Sequence, residues 1–278
     1  MSILEKFFLM NKLYILFLKI FVFFQSARIL KIKKKLNIKY FKLFYNILFE
    51  FYYSLNTGIY HDYKISNNFY ISDIVPFRLK AAIKKKGIYN EIFLLIKKNI
   101  NLVKVKNILD IGCSEGFYAV NFALLKKKVY AVDQVKHHLK KAKIYAEFFN
   151  VIEKIIFINN DFRRISAEIF YKSDLILFFG VAYHLKNIKK DFLFLYSFNK
   201  PILFESTFVD FGKDNLEKHI DGPICFYKFK KFLDTYNIKY RLIKDYKNIV
   251  NNCLVYNEKK YYRMLLYIYP ENHKSKKI

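Results

Sequence analysis

A chain of 278 residues can bury one full-sized core and still carry a smaller appended segment, which excludes a small scaffold held together only by staples. Its formal net charge of +27, from 50 Lys and Arg against 23 Asp and Glu, would draw anionic partners, but arginine stands only at 28, 78, 163, 164, 241 and 263, so composition does not indicate a base-reading surface. Cys113, Cys225 and Cys253 have no C-x-x-C spacing and the six histidines no H-E-x-x-H spacing, which suggests neither a disulfide framework nor a metal site and fits reduced thiols in cytoplasm.

Residues 7–24 are nearly all apolar, and Glu5, Lys12, Lys19 and Ser26 recur at heptad steps, which predicts a helix with one narrow polar stripe. Arg28, Lys31, Lys33, Lys34 and Lys35 follow as a basic collar. Two lysines within a run that would need ~20 apolar residues to span a bilayer leave two readings open: a peripheral helix at the inner membrane face through residues 1–35, or a helix packed on protein. Aromatic, helix-like sequence continues to a turn at Asn56-Thr57-Gly58, and residues 1–73 are read as a helical, aromatic and basic extension, with 74–278 as the main domain.

Pro76 opens a lysine-rich helical stretch to about Asn99. A buried strand then starts at Asn107 and runs into Asp110-Ile111-Gly112-Cys113-Ser114-Glu115-Gly116, a turn holding two of the chain's seven glycines. A helix is predicted over 117–125, a strand over 129–132 ending in Asp133, and a lysine-rich helix over 136–149. A strand over 155–158 leads to Asp161, and further strands follow over 175–179 and 201–204. Strands alternating with helices predict a mostly parallel α/β sheet with right-handed crossovers, and 240–243 and 263–269 read as late strands. Ligands of such sheets lie beyond the carboxyl ends of the strands, where Asp110, Asp133 and Asp161 fall at three successive ends.

The turn Gly112-x-Ser114-x-Gly116, led by Asp110, lacks the third glycine of dinucleotide spacing, which disfavours an NAD-dependent oxidoreductase, and resembles the first motif of class I S-adenosylmethionine methyltransferases. The resemblance implies a Rossmann-like methyltransferase fold with an antiparallel C-terminal edge, and S-adenosylmethionine as cofactor. In its terms Gly112 and Gly116 are the close-approach positions, with Ser114 in place of the usual middle glycine. Asp110 and Glu115 face the methionine end, Asp133 takes two ribose hydroxyls, and Asp161 takes the adenine amino group with Phe162 against the ring; Cys113 and Gln134 join the same set.

A second resemblance lies in Phe179-Gly180-Val181-Ala182-Tyr183-His184-Leu185, similar to the G-V-L-Y-H-L type loop of tRNA wobble-uridine carboxymethyltransferase relatives, and in Leu203-Phe204-Glu205-Ser206-Thr207, similar to the L-E-T segment that follows there. It implies that Phe179 and Tyr183 border the sulfonium. Transfer to a hydroxyl needs a base, for which His184 is the first candidate and Glu205 the second. The chain has no tryptophan, unlike the pockets of those relatives, so O-methylation of a sugar or other small-molecule acceptor stands ahead of tRNA. A non-catalytic methyltransferase-fold module at a membrane is the remaining alternative.

Overall fold

The structure, a computed structural model, describes residues 19, 20, 23, 41–43, 45–47, 63–66, 69–70, 88–209, 224–245, 255–256 and 259–271. Residues 19, 20, 23, 41–43 and 45–47 are helical; the rest of the 7–24 helix, its basic collar, the 56–58 turn, the domain boundary at 73, Arg78 and Cys253 lie outside the described residues. No described helix is long and apolar enough to cross a membrane.

The described elements in chain order are β1 (Lys64–Ser66), β2 (Phe69–Tyr70), α1 (Ile88–Asn99), β3 (Asn107–Ile111), α2 (Phe117–Leu124), β4 (Lys128–Asp133), α3 (Lys136–Phe148), β5 (Ile155–Asn159), α4 (Ala167–Lys172), β6 (Leu175–Phe179), α5 (Ile188–Tyr196), β7 (Ile202–Val209), β8 (Ile224–Cys225), α6 (Phe226–Thr235), β9 (Tyr240–Asp245), β10 (Val255–Tyr256) and β11 (Lys259–Ile268). Nine strands form one sheet in the order β10-β11-β7-β6-β3-β4-β5, with β8 beside β7 and β9 beside β11. Strands β3 to β8 pair in parallel, and β9, β10 and β11 run antiparallel at one edge, as the resemblance implied.

The central strands are mostly apolar because both faces of the sheet are covered. All five residues of β6 are buried, and β3 is buried from Ile108 onward. Side chains alternate between faces, so Ile108, Leu175, Leu177, Leu203 and Leu265 enter one core, with Ile92 and Ile96 of α1, Phe117 and Val120 of α2 and Tyr145 of α3. Leu109, Ile176, Phe178, Phe204 and Leu266 enter the other, with Phe170 of α4, Phe192 of α5 and Phe229 of α6. Leu43, Ile47 and Tyr63, from before the sheet begins, belong to the first core.

Helices α4 and α5 have weak sequence signals but clear local starts. Ser166 Oγ accepts the Glu168 N–H at 3.3 Å and Asn187 Oδ1 accepts the Lys190 N–H at 3.0 Å, each filling an otherwise unmet donor of a first turn. The strand read at 201–204 continues to Val209 because β11 pairs along its whole length, from Ile268 opposite Ile202 to Tyr261 opposite Val209.

Phe204 stacks on Phe229 with ring centroids 4.9 Å apart, and Phe178 and Phe192 also pack against it. Phe204→Ala should cost about 3–5 kcal/mol through lost burial and an unfilled cavity; a loss below 1 kcal/mol in urea unfolding would place this aromatic cluster outside the stabilising core.

Candidate functional site

Strand order reverses at β3, which has β4 on one side and β6 on the other. The crevice beyond the carboxyl ends of β3 and β6 is where an open sheet binds a ligand. The loop after β3 and the loop after β6 meet there: a Cβ placed on Gly112 would run into Val181 Cγ2.

The 112–116 turn is left-handed at alternate residues, with φ of +67° at Gly112, +49° at Ser114 and +74° at Gly116. Glycine adopts this region without penalty, whereas Ser114 occupies it at a cost in strain. The resemblance assigns the glycines to ligand approach; the structure supplies a nearer cause. Val181 closes on Gly112, and a Cβ on Gly116 would lie 2.7 Å from Ala142 Cβ on α3.

Asp133 holds this turn in place. Its Oδ2 accepts the Ser114 N–H at 2.8 Å and its Oδ1 the Val135 N–H at 2.8 Å, while His138 Nδ1 lies 3.4 Å from Oδ1. A carboxylate has about four acceptor positions, so two backbone bonds leave room for two more. Gln134, next in the chain, is exposed, and its carbonyl is bound by Asn159 Nδ2 at 3.0 Å.

Asp110 is different. It is buried, accepts a hydrogen bond from the backbone of Ala119 in the first turn of α2, and its Oδ2 has no hydrogen-bond partner among the described residues. Desolvation and the nearby negative charge of Asp133 push its pKa up to about 7, against the helix N–H that lowers it. Cys113 lies in the field of both acids and is buried too, so its thiol is also pushed up and stays protonated. Asp110, Cys113 and Asp133 therefore form one group.

Other expected residues have partners within the protein. Glu115, expected at the methionine end, is fully buried and forms an ion pair with Lys141 at 3.1 Å, because a carboxylate lodged between α2 and α3 needs a cation inside the core. Asp161, expected to meet an adenine amino group, is held by Arg163, whose N–H and Nε each donate at 2.9 Å to Oδ1 and whose hydrogen bonds keep the carboxyl below its usual range. Arg163 also reaches Asp191 at 3.4 Å. Phe162, expected against a ligand ring, points into the core against Phe178 and Phe194.

Beyond β6 lies a second group of polar side chains. Glu205 was expected as a base, but its two oxygens accept from Arg263, Oε1 from Nε and Oε2 from Nη2 at 2.7 Å. Glu205 faces Leu265 across the β7–β11 pair, so Arg263 stands diagonal to it on the same sheet face. A carboxylate whose lone pairs are directed at a guanidinium is poorly placed to remove a proton. Arg263 and Tyr183 Oη both approach Gly180, and Tyr89 of α1 hydrogen-bonds the guanidinium. Tyr118 meets Phe179 edge-on at 4.7 Å and Tyr89 packs on Phe117 at 5.8 Å, so this side of the crevice is aromatic with one buried ion pair. His184 is exposed, with its ring 4.3 Å from that of Tyr183.

Arg263, Tyr89 and Lys141 were not anticipated. Arg263 had a readable signal, a lone arginine in an apolar strand that must find a carboxylate. Lys141 had none, since it stands among Lys136, Lys140 and Lys143 on the same helix. Among the described residues no group of three His, Cys, Asp or Glu could hold a metal. A lysine-lined groove of about 500 Å³ opens between Lys106, Lys126, Lys128 and Lys154, at the amino ends of β3 and β4 and so at the opposite end of the sheet from these acids.

Residues 102–204 match the family described as "Methyltransferase domain". The chain is 31% identical over 106 residues to the ubiquinone biosynthesis O-methyltransferase of Rickettsia prowazekii (strain Madrid E), covering 38% of this chain and 40% of that one. It is 28% identical over 146 residues to the protein of the same name from Rickettsia akari (strain Hartford), covering 50% and 53%. The matches thus span about half or less of those relatives. A magnesium protoporphyrin IX methyltransferase from Synechocystis PCC 6803, solved with bound SAH, shares the fold with a TM-score of 0.50 at 13% identity, over 70% of this chain and 88% of that chain.

The unpaired Asp110 oxygen has a measurable signature. Because its folded pKa of about 7 exceeds the ordinary 3.8, the folded protein retains a proton that the unfolded chain has released between those values. Stability therefore falls as pH rises from about 4 to 7 and is level above. Asp110→Asn should remove this slope and raise stability at pH 8; a slope in urea unfolding that survives the substitution would assign it to another group. A buried carboxylate whose charge a cation would offset, at the switch point of this sheet, agrees with the match of residues 102–204 to the methyltransferase-domain family.

Proposed function

We propose that the protein transfers a methyl group from S-adenosylmethionine to an oxygen of a small-molecule acceptor. The observation that carries this reading is the buried, partnerless oxygen of Asp110 beside Asp133, under a turn that is left-handed at three positions. The cofactor, when bound, supplies a methyl carbon activated by a sulfonium and presents an ammonium and a ribose diol. Asp110 fits the ammonium end, since a cation there would offset its desolvation. Asp133 has acceptor capacity for the ribose hydroxyls after bonding Ser114 and Val135.

The names of the Rickettsia relatives support oxygen as the atom methylated. On the acceptor side, Phe179, Tyr118, Tyr89 and Tyr183 exclude water and align a flat or apolar molecule with the donor, which is most of what an in-line displacement needs. The Arg263–Glu205 pair, whose charges offset one another, bounds this side of the site. His184 is the side chain that takes that proton to solvent, because it is exposed and next to Tyr183 whereas Glu205 is engaged by Arg263.

Incubation with methyl-labelled cofactor and fractionated extract tests the reading: label should enter small molecules, and label in RNA or in no fraction would overturn it. In titration calorimetry, Asp133→Ala should weaken adenosylhomocysteine binding by about 1.5–3 kcal/mol, the loss of charge-assisted hydrogen bonds. Unchanged affinity would remove Asp133 from the site. Binding should also strengthen up to tenfold per pH unit as Asp110 ionises toward pH 7 and then level off, and a flat profile in the wild type would contradict a cation beside Asp110. His184→Ala should lower kcat and spare cofactor affinity; equal loss of both would indicate a structural histidine.

A further inference from the structure

The cofactor turn is bound from outside the matched 102–204 segment by Tyr63. Tyr63 is 2% exposed, and its hydroxyl donates to the Glu115 carbonyl at 2.8 Å. Its ring stacks on Tyr145 of α3 with centroids 4.0 Å apart and planes 24° from parallel, and Phe117 and Phe149 pack around it at 5.4 Å and 5.9 Å. Burial keeps the phenol protonated, so it remains a donor.

The bond reaches further than one carbonyl. The Glu115–Gly116 peptide has its oxygen on Tyr63 and its N–H on the Cys113 carbonyl at 2.8 Å. The Cys113–Ser114 peptide, whose carbonyl takes that bond, has its N–H on Asp133 Oδ2 at 2.8 Å. Tyr63, two peptide groups and the Asp133 carboxylate thus form one line of donor–acceptor pairs, in which each bond polarises the next. Gly116 has no Cβ and Ser114 is strained, so the turn does not hold these peptide planes by itself. Lys141 and Tyr145 lie one helical turn apart on α3 and grip Glu115 and Tyr63 respectively, which locks the line against the helix.

We propose that Tyr63 is a positioning residue for cofactor binding: through the Glu115–Gly116 and Cys113–Ser114 peptides it sets the orientation of the Asp133 carboxylate, so that the segment preceding the methyltransferase domain completes the cofactor site. The inference rests on the assignment of Asp133 to the cofactor.

The test uses the full chain as wild type, Tyr63→Phe, Asp133→Ala and the double variant, titrated with adenosylhomocysteine and assayed for methyl transfer. Tyr63→Phe keeps the ring stack and removes only the donor. It should weaken binding about fivefold, the equivalent of one hydrogen bond, raise KM for the methyl donor in step and leave kcat unchanged. In the Asp133→Ala background the same substitution should have no further effect, because the line then ends on nothing. Equal losses in both backgrounds, unchanged binding in Tyr63→Phe, a parallel fall in kcat, or loss of the native circular dichroism each overturn the positioning role. Unchanged binding in Asp133→Ala alone instead overturns the cofactor assignment beneath it.

Discussion

One carboxylate accepting two backbone N–H groups organises the crevice. Asp133 receives Ser114 from the loop after β3 and Val135 from the loop after its own strand, and so ties the ends of two neighbouring parallel strands together. A turn with three left-handed residues is intrinsically costly, and a charge-assisted bond to Ser114 offsets part of that cost. The remaining features follow from the shape it imposes: the Gly112 backbone lies against Val181, the Gly116 backbone against Ala142, and Asp110 meets the Ala119 N–H in the first turn of α2.

The two acids therefore divide the work. Asp133 is braced by backbone donors and shapes the site, while Asp110 is buried with one unpartnered oxygen and gives it a charge preference. On the other side of β6, Glu205 and Arg263 neutralise one another, so that side of the crevice is close to uncharged and bounded by aromatic rings. A cation-seeking end and a largely apolar end, separated by the tip of one central strand, suit a charged donor and a less polar acceptor.

Much of this was legible in the chain. The apolar runs at 107–111 and 175–179 and the alternation of strands with helices indicated a parallel sheet, because strands covered on both faces have little choice of residue. The glycine turn and Asp133 were legible because backbone geometry demands particular residues at particular spacings. Less readable were side chains whose role depends on distant partners. Glu115 and Asp161 looked like Asp110 and Asp133, strand-end acids in a basic chain, yet Lys141 and Arg163 reach them and change what they do. Helices α4 to α6 were obscured because their apolar faces are short and are completed by the sheet they cover.

Sequence alone determined the fold class, the tight turn and its leading acids, since these depend on local backbone preferences and on the period of apolar residues. Tertiary structure decided which acids are paired, that Glu205 faces Arg263 from another strand, and that Tyr63 reaches the Glu115 carbonyl across 52 residues. The reason is physical: the charge state and reach of a buried polar group are set by what packs against it, and those neighbours come from parts of the chain that only folding brings together.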